Sequence, residues 1–319
     1  MRGVLVRLLG LAAAVWPAAA RAQYPDLLDV SAQYVPGVPL EEPRPARAQL
    51  ASYEGTLNIP IVLGERTFLI PGVSYHADAV SYQRAPAGFT PLRALHSIEL
   101  PLLFVQLLPR DWSLSLRLAP GLAADIPRLE SEQLRVSALA LATHAFSERL
   151  VAGGGGLLSY SFGTLLPLPA AYLEWRPSDA LKVETFLPAF VDARYTFAGR
   201  VELGLRADVA GNAYAVRNRR IRGAWPCAAS GEDPTTPESE ALAQPEECFD
   251  HIAYSVGVVG IVAGVRLFSS VWWTALAGHT VFRRFDQLNA NDERISGGQH
   301  SMPDAPFVRT SLTWRIPRD

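Results

Sequence analysis

Apolar and polar residues alternate along most of this chain. Between Gln49 and Leu63 the odd positions are Ala51, Tyr53, Gly55, Leu57, Ile59, Ile61 and Leu63, and the even ones include Ser52, Glu54, Thr56 and Asn58. A period of two places one set on each face of a strand, whereas a helix would need a period of 3.6. Val201, Leu203, Leu205, Ala207 and Val209 repeat the pattern against Glu202, Arg206, Asp208 and Asn212. So do Val308, Leu312, Trp314 and Ile316 against Arg309, Ser311, Thr313 and Arg315. No amphipathic helix follows residue 23.

The connections alternate in length. Short polar turns occur at Gly64-Glu65-Arg66, Pro109-Arg110-Asp111, Ser147-Glu148-Arg149, Pro177-Ser178-Asp179, Ala198-Gly199-Arg200 and Ser269-Ser270. Longer loops, rich in proline or acidic residues, fall at 36–48, 80–92, 124–132, 217–250 and 286–304. A soluble sandwich also alternates, but tight turns at one end and long loops at the other are the asymmetry of an outer-membrane barrel. Strands are expected to start near 26, 49, 67, 94, 112, 133, 150, 169, 180, 189, 200, 251, 271 and 306. The fold class is therefore all-β, a transmembrane antiparallel up-and-down β-barrel. It has fourteen strands, or twelve if elements merge, and both termini lie on the turn side.

In hydrocarbon every backbone donor and acceptor must be paired internally, so a lipid-exposed sheet has to close. The apolar faces then point to lipid and the polar faces line a lumen. Tyr34, Phe68, Trp112, Tyr160, Trp175, Phe197, Trp272, Trp273, Phe282 and Trp314 lie near strand ends and are candidates for interfacial girdles. Ordinary strand propensity is the plainer explanation for them. Gly153-Gly154-Gly155-Gly156 reads as a bend or bulge inside a strand.

The first residues read as an address. Arg2 and Arg7 precede an apolar run from Leu8 to Val15, and Ala20-Arg21-Ala22 is a small-x-small cleavage site. The run is too short to span a bilayer, which takes about 20 residues. The expected division is a signal peptide at 1–22 and one barrel domain at 23–319. Loss of Arg2, Arg7 and Arg21 leaves the mature chain three charges below the −2 of the whole sequence. Export to the bacterial outer membrane follows, with outer-membrane lipid and the barrel-assembly machinery as partners and a monomer as the default state.

Composition mainly excludes. Charged residues make up 19 %, below the ~25 % usual in soluble domains. The near-neutral balance gives no electrostatic case for nucleic acid. Two cysteines are too few for a disulfide-dense scaffold or a Cys-rich zinc site. Cys227 and Cys248 flank an acidic stretch containing Glu232, Asp233, Glu238, Glu240, Glu246 and Glu247. In an oxidising compartment they are expected to form one disulfide. Closing a loop of ~20 residues is worth about 3 kcal/mol in the chain-entropy model.

Candidate chemistry concentrates between residues 172 and 208. Glu174, Arg176, Lys182, Glu184, Asp192, Arg194, Glu202, Arg206 and Asp208 alternate onto the expected inner face. They form either a wall that orients a polar solute or an ion-pair network that fills the lumen. The mixed signs favour the network, because a pore selecting one ion sign would show rings of one sign. None of His76, His96, His144, His251, His279 and His300 is spaced to build a metal site with another on one strand face, and no cofactor is expected. Ser74, His76 and Asp78 are the one local trio on a single face, but alternate residues lie ~6.6 Å apart at the backbone, too far for a ready triad. Asn289, Asn291, Asp292 and Glu293 supply oxygen atoms without the ordered spacing of a Ca²⁺ loop.

The stretches Leu57-Asn58-Ile59-Pro60-Ile61 with Pro71-Gly72-Val73-Ser74-Tyr75, and Trp175-Arg176-Pro177 leading to Leu187-Pro188, resemble the uncharacterised bacterial outer-membrane barrels grouped as a domain of unknown function. The resemblance runs over nearly the whole mature chain and supplies no catalytic residues. Barrels of this kind usually end in an aromatic, a part Trp314 would take five residues early. The expected role is passage or binding of a small solute in the lumen, without enzymatic activity. A structural barrel with a plugged lumen is the alternative, and a lipid-modifying enzyme comes third.

Overall fold

A computed structural model describes residues 25–39, 47–83, 94–125, 133–159, 165–216, 251–289 and 293–315. The signal segment, both cysteines and the acidic stretch between them lie outside the described residues.

Seventeen strand segments form one sheet. They are β1 (Leu28–Pro39), β2 (Arg47–Asn58), β3 (Ile61–Gly64), β4 (Thr67–Gln83), β5 (Leu95–Glu99), β6 (Leu102–Leu107), β7 (Trp112–Ala124), β8 (Leu134–Ser147) and β9 (Leu150–Ser159). Then come β10 (Leu166–Trp175), β11 (Leu181–Leu187), β12 (Phe190–Phe197), β13 (Val201–Ala215), β14 (His251–Arg266), β15 (Val271–Leu288), β16 (Arg294–Ser301) and β17 (Pro306–Trp314). Three pairs are single strands interrupted near a proline: β2 with β3 at Pro60, β5 with β6 at Pro101, and β16 with β17 at Pro303. A proline cannot donate to the ladder, which accounts for the breaks. Fourteen strands result.

The ring closes where β1 pairs antiparallel with β17, from Leu28 opposite Trp314 to Tyr34 opposite Val308. All six expected turns lie at one end, together with both described termini, tied by Leu27 N–H to the Trp314 carbonyl (2.9 Å). Two turns have the twist of a tight hairpin: Arg110 and Asp111 both lie at φ 60°, and Ala198 and Gly199 at 46° and 64°. Positive φ at both central residues matches the right-handed twist of the flanking strands.

The faces divide as in a membrane barrel. Val30, Tyr53, Leu57, Ile61, Leu116, Leu203, Leu205 and Ile261 point outward and are exposed, while Asp78, Ser113, Ser115, Glu174, Asp192, Glu202 and Asp208 point inward and are buried. An aromatic row at the turn end comprises Trp112, Phe146, Trp175, Tyr195, Phe197, Trp273 and Trp314, all exposed. Of the other girdle candidates, Tyr34 and Phe282 are exposed away from the turn end, Tyr160 lies outside the described residues, and two face inward. Phe68 and Trp272 are buried. Phe68 shares the inward parity of Ser74, His76 and Asp78, and Trp272 cannot face outward beside Trp273 on one strand.

Two further expectations are corrected. The glycine run is not a bulge: β9 pairs with β8 and β10 without a register shift through Gly153–Gly156. A Cβ on Gly155 would collide with the Ala140 carbonyl, so the run permits close strand approach, and Tyr172 of β10 lies opposite Gly153. The segment 286–304 is largely strand, since β15 continues to Leu288 and pairs with β16.

Candidate functional site

The nine charged residues from 174 to 208 come from β10 to β13 and the turn after β10, and the structure joins them into two groups. In the smaller one, Glu174 accepts from Arg176 Nη2 (2.7 Å), lies 3.6 Å from Lys182 Nζ and accepts from the Tyr172 hydroxyl (3.2 Å). Lys182 is also paired with Glu184. In the larger one, Arg194 grips both oxygens of Asp192 through Nε and Nη2, each at 2.7 Å, and reaches Glu202 at 3.1 Å. Arg206 bridges Asp192 (3.0 Å) and Asp208 (2.8 Å).

Two arginines beyond the expected set complete the larger group. Arg309 donates to both oxygens of Asp208 at 3.0 Å, and Arg315 to both oxygens of Glu202 at 2.7 and 3.0 Å. The sequence put Arg309 and Arg315 on the polar face of the last strand but held no sign of their partners. Consecutive pairing of β13, β14, β15 and β17 sets β17 three strands from β13, and the curvature of the ring turns their inner faces toward each other. Their arms pass β14 and β15, which present Gly260, Gly264 and Gly278 at that level: Glu202 lies opposite Gly264, and Arg206 opposite Gly260 and then Gly278. The outcome is one alternating chain of charge, Arg315–Glu202–Arg194–Asp192–Arg206–Asp208–Arg309, inside the ring. Charged partners in bidentate geometry make the stronger class of hydrogen bond.

This chain lies between two chambers. The larger, about 1130 Å³, opens toward the turn end and is lined by Arg176, Lys182, Glu184, Asp192, Arg194 and Glu202 together with turn residues such as Phe268 and Ser270. The smaller, about 400 Å³, lies toward the loop end. Phe190 and Arg206 border both, and the Arg206 guanidinium sits 5.0 Å over the Phe190 ring.

Beyond the smaller chamber the lumen is filled. The last residues of β13 cross to the opposite wall: Ala215 bridges Ala124 of β7 in parallel, and its carbonyl accepts from Asp125 N–H at 3.2 Å. The Tyr214 hydroxyl donates to Asp78 on β4 at 2.9 Å. Around Tyr214 pack Val35, Leu50, Leu95, Ile252, Tyr254 and Val256.

Ser74, His76 and Asp78 all line the smaller chamber. His76 Nε2 lies 3.1 Å from Asp78. The hydroxyls are committed elsewhere: Ser74 bonds Thr56 (2.6 Å) and Ser52 donates to Asp78 (2.6 Å). Among the described residues His76 therefore has no hydroxyl bonded to its imidazole, the contact a nucleophile–base pair needs. His144 stacks on Trp112 and His96 on Tyr75. Among the described residues no three His, Cys, Asp or Glu side chains gather as a metal site. Asn289 and Glu293 bond each other across their turn, and Asn291 and Asp292 lie outside the described residues.

A domain of unknown function (DUF6268) matches residues 20–224, a span that contains both stretches on which the resemblance rested. No curated protein matches the sequence. Among solved structures, an outer-membrane channel of Pseudomonas putida F1 aligns at 10 % identity and a TM-score of 0.42, covering 92 % of this chain and 97 % of that one. LpxR of Salmonella typhimurium aligns at 10 % identity and 0.34, covering 90 % and 99 %. The toluene transporter TodX of Pseudomonas putida aligns at 8 % identity and 0.33, covering 96 % and 93 %.

Proposed function

The chain belongs to the DUF6268 family, and from that premise we propose that it is a monomeric outer-membrane β-barrel that takes up or passes a small solute through its lumen. The signal segment at 1–22 directs export, and the assembly machinery and outer-membrane lipid are its partners. The observation that carries this reading is the pair of chambers, about 1130 and 400 Å³, stacked inside the ring with a charged layer between them. Small-molecule sites commonly occupy 300–1,000 Å³. The layer is nearly self-neutralised, so it orients polar groups without the single-sign ring of an ion-selective filter.

A second reading, a closed scaffold, is favoured by the apolar filling around Tyr214 at the loop end. Conductance across a planar bilayer containing purified barrel in KCl separates the two. Steady ohmic steps are expected for the channel. Silence after verified insertion overturns passage and leaves the scaffold.

A further inference from the structure

The barrel wall has one low stretch. β11 has seven residues and β12 eight. At ~3.3 Å per residue and a tilt near 40°, such strands rise roughly 20 Å, less than the ~25 Å apolar band of a membrane barrel. Their neighbours rise higher on either side. β10 pairs with β11 only from Ala171 to Trp175, and Leu166–Ala170 continue upward paired with β9 alone. β13 pairs with β12 up to Asp208, and one last bond joins Val209 N–H to the Ala189 carbonyl (2.8 Å). Beyond that, β13 leaves the wall to cross the lumen. Among the described residues there is thus a gap above the β11–β12 hairpin, bounded by two strand edges.

An open edge in hydrocarbon would expose unpaired donors. The β10 edge carries Pro167 and Pro169, both exposed, and neither interrupts the β9 ladder. Their missing N–H groups therefore belong to the side facing the gap, where no strand pairs with them among the described residues. The other rim is made of small residues, Ala189, Ala210 and Gly211.

The smaller chamber reaches that rim, and its two sides differ. On the gap side it is lined by Phe190, Val209 and Ala210; on the far side stand Ser52, Glu54 and His76. Among the described residues the Glu54 carboxylate makes no direct hydrogen bond or ion pair, and His76 and Arg309 act on it only at longer range. It faces His76 across the β2–β4 ladder. The acidic residues of the neighbouring layer, by contrast, are all held by arginine or lysine.

We propose that the gap above the β11–β12 hairpin is a lateral portal between the bilayer and the smaller chamber, and that the chamber takes a small amphiphilic amine. Its apolar body lies against Phe190 and Val209, and its ammonium group meets Glu54. The proposal rests on the solute-binding reading above and names its ligand class and route.

The test uses the full chain in detergent and in liposomes, with octylamine, octanol and octanoate as probes of one tail and three charges. Calorimetric titration against a protein-free blank should rank octylamine at least tenfold above octanoate. Glu54→Gln should erase the preference, and Glu54→Asp should keep part of it. Retained barrel mobility on unheated gels certifies folding of each variant. For the portal, a fluorophore on Ala189→Cys should be quenched by lipids brominated on their acyl chains more than by aqueous iodide, and one on Ser178→Cys the reverse. Equal binding of the three probes, or a preference surviving Glu54→Gln, overturns the ligand class. Iodide-dominated quenching at Ala189→Cys overturns the portal. KCl conductance recorded on the same protein separates these failures from failure of the channel reading: steady steps without amine preference sink only the ligand class, and silence with amine preference sinks only passage.

Discussion

The two halves of β14 lie in one strand and obey different rules. From Val259 to Gly264 exposed and covered positions alternate, as a barrel wall requires; from His251 to Val258 every residue is buried. The first half is a wall between lipid and lumen. The second, with the end of β13, has moved inside and is covered on both faces. A strand buried on both faces reads as a continuous apolar run, and Val256-Gly257-Val258-Val259-Gly260-Ile261-Val262 carries that run across the boundary. The lumen divides the same way: ion pairs stand around two open chambers through most of its length, and apolar packing around Tyr214 fills it beyond the smaller one.

The contrast can be broken most sharply at Tyr214. It is fully buried, belongs to the apolar cluster and holds Asp78. Tyr214→Ala should cost about 3–5 kcal/mol, the usual range for deleting a buried aromatic ring, as read by urea unfolding in lipid. It should also raise single-channel conductance by removing part of the loop-end filling. Unchanged stability would mean that the crossing end of β13 is not packed as described.

A smaller effect is expected in the charged half. Asp192→Asn keeps the shape but removes the anion shared by Arg194 and Arg206. The loss should be about 1–3 kcal/mol, typical of breaking a charged hydrogen-bond network. Reversal potentials in a salt gradient should move toward anions, because two arginines lose a common counter-charge. An unmoved reversal potential would separate the layer from any solute path.

The smallest effect is expected at the border of the larger chamber. Glu184 pairs with Lys182 while both remain about a quarter exposed. Glu184→Gln should change stability by less than about 1 kcal/mol, as for solvent-accessible pairs. A loss as large as that of Asp192→Asn would mean that the pairing runs as one cooperative unit down to the turn end.

Local physics made much of this legible beforehand. Alternation and turn chemistry place most of the fourteen strand starts within a few residues, because each depends only on neighbours in the chain. The inner-face parity that selects Glu174 to Asp208 is equally local. The same parity was available for Phe68 and for Trp272 beside Trp273, where proximity to strand ends suggested the wrong face. Arg309 and Arg315 were another matter. Their partners Asp208 and Glu202 lie 101 and 113 residues away, and nothing in a strand's pattern names the strand it will approach across glycines.

The sequence by itself determined the class of object, an all-β chain of alternating strands, short turns and long loops with a charged inner face. Backbone pairing in hydrocarbon then required the sheet to close. The tertiary structure decided which inward residues meet, that β13 crosses the lumen, and that the wall stands low at β11–β12. Those are consequences of closure and stagger. They depend on the distance between strands far apart in sequence, and a pattern of period two carries no record of it.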